Sequence, residues 1–402
     1  MVEAHAAALK KGDNVLRVGL VAGEASGDAL GAGLIDAIRD RVPDVRFVGI
    51  AGPRMIASGC EPWYSTEELS VMGLSEVLRH LPRLLRLRKD LLRRLQAAEL
   101  DIFVGIDSPD FNLPVETALK SAGVSTVQYV SPQVWAWRQS RVAGVRRAAD
   151  LVLCLLPFET RFYEAHGVNA CFVGHPLADE VPMETRKADA RAALGVSGTG
   201  PYLALLPGSR RSEVSRLARP FLETAKWLSA DRPSLEVIVG FANESTRKVF
   251  SERTQDIKLE RPPRLFTGRA RDVMGAADAV LTASGTASLE VLLTKRPMVV
   301  AYIISGVTHR LMRLLGLNRL EHFSLPNLLA GKQVVPEYLQ ADVRPQILGP
   351  ALAVHLDRGD DQGGERGWYD VFRGIHQQLR CNASAGAAGA VLELLDKRTD
   401  SP

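Results

Sequence analysis

Residues 15–30 read VLRVGLVAGEASGDAL, and the order of residue types in them decides the fold class. Val15–Ala22 is an apolar, β-branched run of strand length; Gly23–Asp28, GEASGD, is a turn of small residues; an apolar helix begins near Leu30. Strand, tight turn and helix in that order open a Rossmann-like unit, because small residues let the backbone turn sharply. The following helix offers backbone N–H groups to an anion. The turn is not GxGxxG, so a dinucleotide-binding signature is absent, and taken alone it fits a ligand site and a plain connection equally well.

Outward from this stretch the same alternation recurs. Further strands are expected at Arg46–Ile50, Ile102–Ile106, Ser125–Val130 and Leu151–Leu156. A polar stretch rich in Pro and Gly at its ends, between Gly174 and Gly200, then interrupts the strands and reads as an inter-domain linker. A second series follows at Tyr202–Leu206, Leu235–Val239, Arg264–Thr267, Ala279–Thr282 and Met298–Ile303. The expected organisation is an N-terminal Rossmann-like domain over 1–180, a C-terminal one over 181–349 facing it across a central cleft, and a helical tail over 350–402. The segment Asp357–Gly367, DRGDDQGGERG, reads as an exposed flexible loop.

A chain of 402 residues exceeds what one core comfortably supports, which agrees with two domains. Its net charge of +4 is too small to imply a nucleic-acid partner, and no nucleic-acid module is recognisable. The four cysteines lie far apart, and no Cys/His spacing suits zinc, so no metal and no cofactor are expected. No run reaches the roughly 18 apolar residues of a membrane span. The reading is a cytoplasmic protein, soluble or peripheral.

In open parallel sheets, ligands sit beyond the carboxyl ends of strands. After the first strand, Gly23, Glu24, Ser26 and Asp28 are therefore candidate cleft or acceptor residues. After the third comes GIDSPDFN, Gly105–Asn112, where Asp107 stands at a strand mouth and can take a proton from a hydroxyl nucleophile. Asp110 suits a local turn role better. After the fourth, SPQVWAWRQSR places Trp135 and Trp137 in a loop, as packing or as a face for a sugar or lipid.

The second domain opens with YLALLPGSRRSEV, in which Gly208 permits close backbone approach, Ser209 can bond an oxygen and Arg210 brings permanent positive charge. It is not a Walker P-loop, since no GK[ST] follows. Ser284, Gly285 and Thr286 form another small-residue turn, with Glu290 placed either for ribose hydroxyls or as an ordinary exposed carboxylate. Asn327, in SLPNLLAG, is a plain N-cap or a ligand donor.

Residues Val77–Leu95, VLRHLPRLLRLRKDLLRRL, have leucines at helical spacing and Arg79, Arg83, Arg86 and Arg93 on another face. Pro82 is expected at a kink or in the first turn. Such a helix suits an anionic membrane surface, although the pattern alone fits a core-packed helix with a solvated basic face somewhat better.

Together these segments closely resemble the lipid-A-disaccharide synthase family. The resemblance runs in order through LVAGEASGDALGAGLI, FVGIAGPRM, VMGLSEVL, FVGIDSPDFNLP, YVSPQVWAWR, LPFE, GHPL, LLPGSRRSEV, SGTASLEVLL, SLPNLLAG and HQQLRCNA, from about Val15 to Leu395. It implies an α/β fold of GT-B type with the nucleotide donor on the C-terminal domain. It implies an inverting transfer, with UDP-2,3-diacylglucosamine and 2,3-diacylglucosamine 1-phosphate giving the β(1→6) disaccharide 1-phosphate and UDP. The residues it carries over are Asp107, Arg210 and Asn327, and the site of action it implies is the cytoplasmic face of the inner membrane of Gram-negative bacteria. A homodimer is compatible with the detached tail. A sugar-nucleotide epimerase on the same scaffold, needing no acceptor, and a non-catalytic nucleotide-binding membrane protein are the competing readings.

Overall fold

Seven short runs form the parallel sheet of the first unit: β1 (Leu16–Ala22), β2 (Val45–Ala51), β3 (Cys60–Ser65), β4 (Ile102–Ile106), β5 (Ser125–Tyr129), β6 (Leu151–Cys154) and β7 (Ala170–Phe172). The order across the sheet is β3-β2-β1-β4-β5-β6-β7. The computed structural model describes residues 15–70, 74–134, 141–198, 200–304, 321–357 and 367–399, with the backbone alone at 70 and over 74–80. Trp135, Trp137 and most of the segment Asp357–Gly367 lie outside the described residues.

The inner strands are apolar on both faces because helices cover both faces, as parallel sheets require. Along β1, Val18, Leu20 and Ala22 point to a core shared with the helices Ala25–Arg39 and Ala383–Thr399, while Val21 points to a core shared with Leu87, Leu91 and Leu95. The helix Leu74–Ala97 keeps Pro82 in its interior, a correction to the expectation that it stands outside the helix interior, in the first turn. Its leucines divide by face. Leu87, Leu91 and Leu95 are buried and Leu84 packs beside them, whereas Leu81 and Leu85 are 42% and 45% exposed.

The second unit repeats the design with β8 (Tyr202–Leu206), β9 (Glu236–Phe241), β10 (Arg264–Thr267), β11 (Ala279–Ala283), β12 (Met298–Tyr302) and β13 (Glu337–Leu339), ordered β10-β9-β8-β11-β12-β13. The long helix Arg211–Ala230 packs Val214, Leu217, Phe221 and Leu228 onto this sheet, joined by Leu348, Leu352 and Leu356 of the helix Pro345–Asp357.

The chain changes units twice. Residues up to Asp179 and from Leu379 onward belong to the first unit, and Glu180–Gln378 to the second. The helical C-terminal region is present, but it is not one body from residue 350. The helix Pro345–Asp357 is part of the second core, while Ala387, Ala388 and Val391 complete the first. The return is pinned by Asp179, whose carboxylate accepts from Asn382 N at 2.9 Å and Ala383 N at 2.7 Å, at the start of the last helix.

Candidate functional site

Each sheet has one topological switch point, where connections leave in opposite directions and a crevice opens at the strand ends. In the second unit it lies between β8 and β11. The loop after β8 is Pro207-Gly208-Ser209-Arg210, and the loop after β11 is Ser284-Gly285. Gly208 has φ +119°, and a Cβ there would sit 2.7 Å from Glu213 Cβ, so only glycine fits this turn. Gly285 has φ +142° and nothing within 4 Å of a hypothetical Cβ, so it is required by its backbone angle rather than by crowding.

A cavity of about 260 Å³ opens between the two loops. Gly208, Ser209, Arg210, Ser284, Gly285, Thr286 and Glu290 all line it. Two of the three motifs singled out in this half of the sequence therefore meet. Leu206, Gly240, Ala242, Ala270, Met274 and Ala283 supply apolar wall that the motifs did not reveal. The helix Thr286–Leu293 starts at the cavity, and its first N–H groups have no acceptors within the helix. Arg210 is exposed, whereas Glu290 is largely shielded and not the solvated carboxylate that was one expectation. Burial pushes its carboxyl up, Arg271 opposes that shift and Glu180 adds to it.

One expectation here is corrected. Gly208 suggests a backbone open to ligand approach, yet the next amides, Ser209 N and Arg210 N, both donate to Glu213 Oε2 at 3.2 Å. Glu213 caps the helix Arg211–Ala230 from its own first turn, and an anion reaching those amides must displace it. Tyr302 also bonds to Glu213; burial, then the Glu213 charge, raise its phenol, against Arg216 and Arg210. Arg216 Nε is buried without a hydrogen-bond partner among the described residues. Nothing in its motif marked it beforehand.

Asn327 is the second correction. It is fully buried; its Nδ2 donates to Val335 O at 2.9 Å, and its Oδ1 accepts from Val334 N at 2.7 Å and Val335 N at 2.9 Å. The side chain is a clamp on the loop before β13 and presents no group to a ligand.

In the first unit the switch point lies between β1 and β4, and Ala22 pairs with Ile106 at its mouth. Gly23 and Asp107 are the next residues on the two strands. A Cβ on Gly23 would lie 2.1 Å from Ser108 Oγ, so the absent side chain lets the two loops touch. Asp107 and Ser108 both have left-handed backbones, φ +52° and +43°. For residues other than glycine each such conformation costs on the order of 1–3 kcal/mol and persists only where its surroundings enforce it. Asp107 is half-buried; Glu24 and Ser26 are exposed at the start of the helix Ala25–Arg39.

Asp28 is the third correction. It is 3% exposed, and its two oxygens accept from Gly52 N at 2.9 Å, Arg54 N at 2.9 Å and Met55 N at 3.0 Å. Both of its oxygens serve the start of the helix Pro53–Ala57 and the side chain is buried, so it is not an acceptor-binding group. Asp110 pairs instead with Arg141 at 2.7 Å, an exposed ion pair with a residue 31 positions away rather than the local turn role expected. On the basic helix, Arg83 pairs with Glu68, Arg93 lies 3.0 Å from Asp90, and Arg86 Nε donates to Pro82 O at 3.3 Å. The side chain of Arg79 lies outside the described residues.

Comparison with known proteins gives this geometry a family. The family model described as Lipid-A-disaccharide synthetase matches residues 18–391. This chain belongs to the lipid-A-disaccharide synthetase family. A lipid-A-disaccharide synthase of Pseudomonas aeruginosa (strain LESB58) is 50% identical over 383 residues, 95% of this chain and 99% of that protein. One from Escherichia coli (strain SMS-3-5) is 50% identical over 379 residues, 94% and 98% of the two chains. The chain is accordingly a glycosyltransferase of lipid A biosynthesis, of a family that uses a UDP-sugar and an acceptor lipid.

Among solved structures, the UDP-GlcNAc 2-epimerase from Neisseria meningitidis aligns with a TM-score of 0.59 at 11% identity, covering 95% of this chain and 99% of that one. The glycotransferase of kitacinnamycin aligns at 0.56 and 18% identity, covering 94% and 98%. These likenesses establish the GT-B type of fold. Because epimerases and transferases share it, fold does not choose between them; the synthetase family does. Among the described residues, no helix is long and apolar enough to cross a membrane.

Proposed function

We propose that this synthetase-family chain joins UDP-2,3-diacylglucosamine to 2,3-diacylglucosamine 1-phosphate, giving the β(1→6) disaccharide 1-phosphate and UDP with inversion at the anomeric carbon. The observation that carries the donor half is the cavity between the β8 and β11 loops, lined by Arg210, by the start of the helix Thr286–Leu293 and by Glu290. A sugar nucleotide presents a diphosphate, which suits a guanidinium and free helix amides, and a ribose, whose hydroxyls suit a carboxylate.

The donor is α-linked and the product β-linked, so one direct displacement suffices. The 6-hydroxyl of the acceptor loses its proton to the Asp107 carboxylate as it attacks, and the bond to the diphosphate breaks as negative charge gathers on UDP. Arg210 stabilises that charge, because it is permanently ionised and its fork matches phosphate oxygens. Asn327 holds the loop before β13 and takes no part in the transfer.

The basic helix Leu74–Ala97 serves an anionic membrane surface from its middle, where Leu81 and Leu85 are exposed beside Arg83 and Arg86. The acyl chains of both substrates stay in the bilayer, so a peripheral seat on the cytoplasmic face brings the reacting hydroxyl within reach. The deciding experiment incubates the protein with the two acylated glucosamine substrates and reads the products by mass. The disaccharide phosphate, formed only when both are present, supports the assignment; release of UDP without acceptor selects an epimerase-like reaction instead.

A further inference from the structure

Two buried carboxamides from different elements converge on one backbone oxygen, that of Asp107. Asn112 Nδ2, from the helix Pro109–Ser121, donates to Asp107 O at 2.8 Å. Gln128 Nε2, from β5, donates to the same oxygen at 3.1 Å. Both side chains are fully buried. The contacts extend to the neighbouring strand ends. Asn112 Nδ2 lies 3.4 Å from Ile106 O and 3.5 Å from Val21 O, and Gln128 Nε2 lies 3.2 Å from Val130 O and 3.4 Å from Tyr129 O. Each NH₂ carries two hydrogens, so these contacts are shared, and together they tie the mouths of β1, β4 and β5.

The strand ends so tied are the strained ones. Asp107, Ser108 and Val130 all have left-handed backbones, at φ +52°, +43° and +73°. For the β-branched Val130 this is an outlier. The chain makes room for the carboxamides at a cost in side chains. Gly105 pairs in register with Gln128, and a Cβ on it would lie 2.8 Å from Asn112 Cβ and 2.3 Å from Glu116 Oε1. Glu116, one turn beyond Asn112, is fully buried, and neither of its oxygens has a hydrogen-bond partner among the described residues. Burial pushes its carboxyl up to about 8, against Lys120 and with Asp150, which pair with each other at 2.9 Å. At neutral pH it is therefore uncharged and adds no anion beneath the turn.

We infer that Asn112 and Gln128 are positioning residues that hold Asp107 in its left-handed conformation and so aim its carboxylate at the acceptor hydroxyl. This rests on the role of Asp107 as base proposed above. A single donor would fix the carbonyl along one line; two donors from separate elements fix it in two directions, which is what a strained turn needs to point a side chain reproducibly.

The test is a double-mutant cycle on the full chain with both acylated substrates, measuring kcat and KM. Gln128→Met keeps length and loses the donor. It is expected to lower kcat ~10–100-fold, the scale of a small misplacement of a catalytic group, with acceptor KM within ~twofold. In an Asp107→Asn background, where no base remains to be aimed, the same change is expected to cost less than ~twofold. Equal costs in both backgrounds overturn the inference, because a merely structural carboxamide lowers turnover whatever stands at position 107. Asn112→Ser, which retains a shorter donor, is expected to lose less kcat than Asn112→Ala; equal losses also count against it. If Gln128→Met and Asn112→Ala both lose their cooperative melt, the carboxamides belong to stability alone. Near-normal turnover of Asp107→Asn by itself removes the base, a result that differs from every outcome above.

Discussion

Asp28 looks like a loop residue at a strand mouth and is in fact a structural cap, and the difference is measurable. Asp28→Ala removes one acceptor group from Gly52 N, Arg54 N and Met55 N, which it now bonds at 2.9, 2.9 and 3.0 Å. Hydrogen bonds to a charged group contribute about 1.5–3 kcal/mol each, but three sharing one carboxylate are not additive, so about 3–5 kcal/mol is the expected loss. For a unit of this size each kcal/mol moves the melting temperature by about 2–4 °C, giving a fall of about 6–20 °C. Asp28→Asn keeps one acceptor but turns an NH₂ toward a backbone N–H, and is expected to lose about half as much. Gly52→Ala attacks the same bonds from the other side, since its Cβ would lie 2.5 Å from Asp28 Cγ. Thermal melts by circular dichroism, beside acceptor KM, decide the matter. Unchanged melts in the two Asp28 variants with a raised acceptor KM would refute the capping role and restore Asp28 to the substrate site.

Four further outcomes are expected. Asp107→Asn lowers turnover by ~100-fold or more while UDP affinity, read by calorimetry, stays within a few-fold. Arg210→Ala weakens UDP binding and rate together, and Arg210→Lys recovers only part because the fork is lost, in the same two measurements. Glu116 keeps its proton to about pH 8 in the folded chain and loses it near its ordinary 4.5 when unfolded, so between these values the folded state binds more protons and rising pH costs stability. Glu116→Gln removes that loss, and its melting temperature relative to the parent is expected to climb from pH 5 to pH 8. Reversing Arg83 and Arg86 to glutamate is expected to weaken co-sedimentation with anionic vesicles and spare binding of UDP.

Most inner strands were legible because they are apolar runs buried on both faces, and Ile102–Ile106 and Tyr202–Leu206 begin and end where their residues suggest; of the edge strands only Arg264–Thr267 was readable in the same way. The three strands that sequence reasoning missed, β3, β7 and β13, are all at sheet edges. An edge strand is half solvated, so it needs no apolar alternation; Cys60–Ser65 even contains Pro62 and pairs across an irregularity in β2. At the sites, the turns after β8 and β11 were readable because small residues followed by helices have few other uses. What could not be read was the fate of single polar side chains. Asp28, Asp107 and Asn327 all sit in turns beside apolar elements, yet two are spent on backbone amides and one is not. That distinction depends on which loop folds back within 3 Å, and nothing local encodes it. Asn112, Glu116 and Gln128 did leave a trace, since a polar pair four apart on a sheet-facing helix and a glutamine inside STVQY both interrupt patterns that otherwise stay apolar.

The second crossing between units sets an order on synthesis. The helix Ala383–Thr399 supplies Ala387, Ala388 and Val391 to the core built around β1. As the chain leaves the ribosome from its amino end, the unit begun first cannot close until the helix Ala383–Thr399 emerges, whereas the unit begun second is whole once Gln378 is out. The nascent polypeptide therefore carries an unsealed apolar face through most of translation. A stop codon shortly before that final helix would injure the amino-terminal half, far away in sequence from the lesion.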